Sequence, residues 1–249
     1  MLDEILAHKR EEIKGMTLID SKRMKPVIDA VASLRQKPII AEVKKASPSL
    51  GNINIGADPV AQAKLYESCG AGMVSVLTDK KYFSGDMQYL ADIAASVEIP
   101  VLCKDFILSE VQIENAYRSG ADCILLMATV LNRDEIERLA KYARERGLEI
   151  LFEIHALSEM ERLTGVEPAL LGVNSRNLKN LEIDLNVGAG VLKALEGNYI
   201  KVAESGMKTP VDVAFMKDAG ADAFLIGSGL MAAENTEELL GSMLEAACS

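Results

Sequence analysis

A chain of 249 residues, 49% of them hydrophobic, is long enough for one large core, and its 37 acidic against 27 basic residues leave a net charge of −10. That balance argues against a broad footprint for nucleic acid, so an anionic ligand needs a local positive site. No apolar run approaches the roughly 20 residues of a membrane span, and the N-terminal M-L-D-E-I-L-A-H-K-R lacks a secretory apolar segment, so the expected location is cytoplasmic with no membrane partner.

Residues 1 to 16 place Leu2, Ile5, Leu6 and Ile13 among charged residues, an amphipathic helical pattern that can lie against a larger body. Residues 17 to 36 continue with Met24, Val27, Ile28, Val31 and Leu34 at helical spacing. Residues 1–37 are therefore expected to form a helical extension of one domain spanning 1–249, rather than a second domain.

From Pro38 a rhythm begins, with apolar runs starting near residues 38, 73, 99, 122, 148, 169, 199 and 222. Helical patterns lie between them, as in Pro59 to Ser68, Met87 to Ala95, Glu110 to Ser119, Arg133 to Arg146, Pro210 to Ala219 and Glu237 to Ala247. The weakest is Leu185 to Leu195, which contains V-G-A-G. Strands too apolar to have a wet face, alternating with helices, imply a parallel sheet covered by helices. The phrases C-G-A-G at 69–72, S-G-A-D at 119–122 and A-G-A-D at 219–222 fit helix ends closed by glycine before a strand. Eight equivalent units close a (β/α)8 TIM barrel more naturally than they fill an open sheet, and no G-x-G-x-x-G follows the first strand.

In such a barrel the chemistry collects at the C-terminal strand ends. The first run, P-I-I-A-E-V-K-K-A-S-P-S from Pro38, turns from apolar to charged at Glu42. Strand alternation puts Glu42 and Lys44 on one face and Val43 and Lys45 on the other. The loop beyond, with Ser47, Pro48, Ser49 and Gly51, offers turn residues and hydroxyl donors for a substrate. The third run ends in Lys104, the fifth in Glu153, the sixth in Asn174 and the seventh in Glu204. Alternate strands supply each interior layer, so Glu42, Lys104, Glu153 and Glu204 are expected to share one. Buried charges are costly and replaceable by apolar packing, which points to function rather than a plug. After the last two runs, E-S-G-M at 204–207 and I-G-S-G-L at 226–230 present glycine N–H groups suited to phosphate, with Ser228 opening a short helix and Lys44 able to add charge.

The ordered motifs E-V-K-K-A-S-P-S, K-Y-F-S-G, C-K-D-F-I, F-E-I-H, G-V-N-S-R-N-L, V-A-E-S-G and F-L-I-G-S run through nearly the whole chain, which resembles the indole-3-glycerol phosphate synthase family. The resemblance implies a lyase of tryptophan biosynthesis without metal or organic cofactor, acting on a small phosphorylated substrate, 1-(2-carboxyphenylamino)-1-deoxyribulose 5-phosphate. It implies that Lys104 is the general acid at the substrate carbonyl and Glu153 a base in the dehydration, with Lys44 as an acid or phosphate contact. Glu42 would orient a lysine, and Asn174 and Glu204 would meet the substrate amine and hydroxyls. Ser205 would lie beside them as a further substrate contact, and Gly206, Gly227 and Ser228 would form the phosphate cradle. Phe83 and Phe106 would wall the anthranilate ring or simply pack in the core, and Arg176 would reach the loop or substrate or stay solvated.

A lysine donates a proton near neutrality only if its pKa falls; a second ammonium lowers it and carboxylates oppose this. Scattered Cys69, Cys103, Cys123 and Cys248, with only His8 and His155, suggest neither a disulfide framework nor a metal site. The rivals are an aldolase forming a Schiff base through Lys104 and a silent barrel acting as a binding module. A helical exterior suits a monomer or a homodimer.

Overall fold

The computed structural model describes residues 1–249 apart from Lys179. The eight apolar runs are strands: β1 Ile39–Val43, β2 Met73–Leu77, β3 Val101–Lys104, β4 Cys123–Met127, β5 Glu149–Ile154, β6 Leu170–Asn174, β7 Ile200–Glu204 and β8 Ala223–Ile226. They pair in parallel and in sequence order, and β1 closes the barrel by pairing with both β2 and β8. Alternation divides each strand between two cores. Ile40, Leu102, Leu125, Leu151, Val202 and Leu225 pack inside the barrel. Ile39, Ala41, Val74, Val76 and Phe152 pack outward in the larger helix-covered core.

The outer helices are α3 Pro59–Ser68, α5 Met87–Ser96, α6 Glu110–Arg118, α7 Arg133–Glu145, α8 Leu185–Ala194, α9 Pro210–Asp218 and α11 Thr236–Cys248, with short α4 Lys80–Phe83 and α10 Ser228–Met231 in loops at the barrel mouth. Asp58, Asp86, Asn132 and Thr209 start their helices by accepting backbone N–H groups that would otherwise lack partners. The fifth connection is only a 3-10 helix, Leu157–Leu163. The three repeated phrases share one geometry: Gly70, Gly120 and Gly220 lie at φ +96°, +96° and +99°. The Asp of two of them then accepts an N–H from the neighbouring strand, Asp122 from Val101 and Asp222 from Lys201, each at 2.9 Å. The doubtful V-G-A-G stretch is a full helix, because a Cβ on Gly188 would lie 2.1 Å from Ser175 Oγ: the glycine lets α8 approach β6.

The prefix departs from its helical expectation. Helix α1, Leu2–Lys14, is present, but of residues 17 to 36 only α2, Ala30–Gln36, is helical. Met24, read as part of an apolar stripe, is 93% exposed. The intervening strap is held by bonds to the barrel wall instead of by its own turns. The backbone of Ile19 and Thr17 pairs with the Asn115 amide, and Arg23 and the Ile28 N–H both bond Asp122 Oδ1, at 2.5 and 2.9 Å. The strap joins two opposite ends. Ala30 and Leu34 of α2 close the bottom of the interior core, while Met1, Leu2 and Ile5 of α1 reach the cavity at the top. Among the described residues no helix is long and apolar enough to cross a membrane.

Candidate active site

At the C-terminal mouth the barrel opens into a cavity of about 370 Å³. Its floor is the expected charged layer. Lys104 Nζ from β3 lies 2.8 Å from Glu204 Oε2 of β7 and 3.5 Å from Glu42 Oε2 of β1. Lys44, just past the end of β1, places its ammonium 2.5 Å from Glu42 Oε1. Lys45 points the other way, over the Tyr89 ring at 4.8 Å, as strand alternation requires. Glu153 of β5 completes the layer and lines the same cavity.

Two of these carboxyls depend on glycines, one in β6 and one just past β8. A Cβ on Gly172 of β6 would lie 2.1 Å from Glu204 Oε1, and one on Gly227 would lie 2.2 Å from Glu42 Oε1. Gly227 was expected as a phosphate donor; it also makes room for Glu42. Gly172 was not singled out from the sequence, although its place in L-L-G-V-N, two residues before a charged mouth, is where a long neighbouring side chain needs space.

Electrostatics settle the question left open about the lysines. Burial alone would lower the Lys104 pKa, but Glu204, Glu42 and Glu153 outweigh it and hold the ammonium well above the ordinary lysine range. The second ammonium does not win. Burial would raise Glu42, yet Lys44 and Lys104 pull it below its ordinary value. Burial raises Glu153, against Lys104 and hydrogen bonds with Glu204 and Asn174. Glu204 rises to about 8, through burial opposed by Lys104 and reinforced by Glu153. Glu153 Oε1 and Glu204 Oε1 are both buried without a hydrogen bond, and the carboxyls of the two residues act on each other as one titrating pair.

This has a measurable consequence for stability. A glutamate raised from 4.5 to about 8 binds its proton more tightly when folded. Its contribution is therefore complete below the unfolded value and is lost as pH rises through the folded one. Glu204→Gln should flatten the fall in Tm between pH 5 and 8, a drop of about 2–4 °C for each kcal/mol lost in a chain this size. Thermal melts across that range check it, and an unchanged slope would remove Glu204 as its source.

The remaining expected residues surround the same space. Phe83 in α4 and Phe106 after β3 are half-buried, with ring centroids 6.2 Å apart and planes at 42°; both line the cavity, and Phe106 also packs against the interior core. Asn174 closes β6 and takes the Arg176 N–H on its side chain at 3.0 Å. Arg176 is not a solvated surface residue: its guanidinium bonds Ser49 Oγ at 2.8 Å and Leu181 O at 3.2 Å, tying two mouth loops together. It thus reaches the loop after β1, through a hydroxyl. Ser47 is buried in a two-stranded turn, Ala46–Ser47 with Gly51–Asn52, where its Oγ accepts the Leu50 N–H at 3.3 Å. Ser205 and Gly206 both have positive φ, +65° and +94°, a strained turn immediately after Glu204. Gly227 and Ser228 lie across from them, and Ser228 opens α10 as expected.

The sequence reading missed two groups. His155 stands behind Glu153, its Nε2 3.6 Å from Glu153 Oε1 and its Nδ1 2.7 Å from Thr129 Oγ1. Lys9 of α1 is buried among carboxylates at the mouth. The available signal for Lys9 was its place in the apolar stripe of Leu2, Ile5, Leu6 and Ile13.

A family model described as indole-3-glycerol phosphate synthase matches residues 2–243. A protein of that name from Exiguobacterium sibiricum is 40% identical over 245 residues, covering 96% of this chain and 95% of the relative. Another, from Bacillus mycoides, is 41% identical over 234 residues, covering 93% and 92%. A crystal structure of tryptophan synthase subunit alpha from Legionella pneumophila superposes with a TM-score of 0.63 over 88% of this chain and 97% of its own, at 15% identity, a likeness of fold alone.

Proposed function

The chain belongs to the indole-3-glycerol phosphate synthase family, and on that premise we propose how its residues share the chemistry. It is a carboxy-lyase of tryptophan biosynthesis: 1-(2-carboxyphenylamino)-1-deoxyribulose 5-phosphate closes to indole-3-glycerol phosphate, releasing carbon dioxide and water. The observation that carries the assignment of roles is the buried layer in which Lys104 faces Glu204, Glu42 and Glu153 at the base of the cavity.

The phosphate sits against the backbone of Ser205, Gly206, Gly227 and Ser228, and the anthranilate ring lies between Phe83 and Phe106. This directs the ribulose carbonyl down towards Lys104. The ring carbon bearing the carboxylate attacks the carbonyl carbon, and the carbonyl oxygen becomes an alkoxide. Lys104 is a poor acid in the resting site, but an alkoxide is basic enough to take its proton, so the donor acts as charge develops. The ring then loses its carboxylate as carbon dioxide, and the electron pair of the broken bond restores aromaticity.

Dehydration follows from the 3-hydroxyindoline. Glu153 accepts a proton from the ring methylene, the new double bond forms, and the hydroxyl leaves as water with a proton from Lys44, Lys104 having already given its own to the alkoxide. Raised by burial, Glu153 is a stronger base than an exposed glutamate; a protonated Glu204 leaves it the ionised member of the pair. Asn174 orients Glu153, and Glu42 holds both lysines in line. The charged state of Lys104 weighs against the imine-forming aldolase, whose lysine must attack as a neutral amine.

The test mixes purified protein with the substrate in buffer containing a chelator and follows indole fluorescence, which stands clear because the chain contains no Trp. A rise without added metal or cofactor is the expected result. No rise from folded protein would overturn it.

A further inference from the structure

Helix α1 carries a buried cation that the reaction does not use. Lys9 lies on the apolar face of α1 and is 1% exposed, with its ammonium 2.9 Å from carboxylate oxygens of Glu12, Asp79 and Asp105. The two aspartates have further work. Asp79 caps α4 by accepting the Tyr82 N–H at 2.7 Å, one residue before Phe83. Asp105 accepts its neighbour Phe106 N–H at 2.7 Å on one oxygen and the Thr78 hydroxyl at 2.7 Å on the other. One ammonium thus joins the two carboxylates that hold the backbones beside both cavity rings.

Packing alone does not call for this cluster. The surrounding stripe is apolar, so an uncharged side chain of similar length would seat α1 against the barrel without the cost of burying charge. What the ion cluster adds is direction. Its bonds fix α4, the end of β3 and α1 at one point, whereas apolar contacts would tolerate sliding. Ile5 and Leu2, one and two turns before Lys9 on the same helix, line the cavity that the rings also line.

We propose that Lys9 is a positioning residue that sets the gap between Phe83 and Phe106, and through it the affinity for the aromatic half of the substrate. This rests on the reading that those two rings hold the anthranilate group. Lys9 touches no reacting atom; it acts through Asp79 and Asp105.

The test compares two unreactive ligands by titration calorimetry: the borohydride-reduced substrate, which keeps the aromatic ring, and ribitol 5-phosphate, which lacks it. Lys9→Met should weaken the ring-bearing ligand by about 10-fold or more, the scale of a small misplacement, and leave ribitol 5-phosphate unchanged within about twofold. Asp79→Asn gives a second route, since asparagine still caps α4 but no longer pairs with the ammonium; it should show the same selective loss. Equal weakening of both ligands would overturn the proposal by reducing Lys9 to a general brace of the fold. Phe83→Ala separates the premise from the proposal. If it weakens the ring-bearing ligand while Lys9→Met and Asp79→Asn do not, the ring reading stands and the role of Lys9 falls. If Phe83→Ala also leaves that ligand unchanged, the ring reading itself is wrong.

Discussion

Lys104→Met is expected to lower kcat by at least about 10³-fold, within the 10²–10⁴ range typical of a positioned proton donor, while the protein remains folded. The loss follows from geometry. Lys104 is the cation between Glu204 and Glu42 at the base of the cavity, whereas the ammonium of Lys44 lies 2.5 Å from the far oxygen of Glu42. The survival of the fold has its own reason. Removing one partner of a buried pair usually costs about 3–5 kcal/mol because a charge is stranded. Here Glu42 keeps Lys44, and Glu204, already raised to about 8, simply retains its proton at neutral pH. Indole fluorescence measures the rate and a thermal melt reports folding; near-normal turnover from folded variant would remove Lys104 from the chemistry.

Glu153→Gln should separate the two halves of the reaction. If Glu153 takes the methylene proton only after carbon dioxide has left, a single turnover should release nearly one equivalent of carbon dioxide while indole forms about 10²–10⁴-fold more slowly. The amide preserves shape and a hydrogen-bonding oxygen but is no base. Parallel trapping of carbon dioxide and fluorescence on one sample tests the claim. Equal slowing of both would move Glu153 to ring closure, and normal rates for both would leave it a structural carboxyl.

The positions of the charged residues were legible in the sequence because a parallel barrel maps strand ends onto one face. Glu42, Lys104, Asn174 and Glu204 each stand at or next to the end of an apolar run, and the run is enough to place them. Which charges neutralise which was not legible. That Lys104 is held as an ammonium depends on oxygens from strands far apart in the chain. The strap around Met24 was misread for a related reason: apolar residues at helical spacing gave the right period, but the backbone finds its partners on Asn115 and Asp122, about a hundred residues away. The placement of Lys9 shows the same limit. Its position in an apolar stripe is visible, but its aspartate partners are not.

The path of the prefix also fixes an order of assembly. Ala30 and Leu34 of α2 share one interior core with Ile40, Ile200 and Ala223, so that core includes the last two strands. Helix α1 and the strap find their partners on Asp79, Asp105, Asn115 and Asp122, but the core that α2 joins is complete only when the final strand joins the first. Until then α2 keeps an uncovered apolar side, and its seating is a late event that distant contacts must precede. A nascent chain halted before β8 would therefore expose both the open barrel bottom and the helix meant to stopper it, marking unfinished molecules at two sites at once.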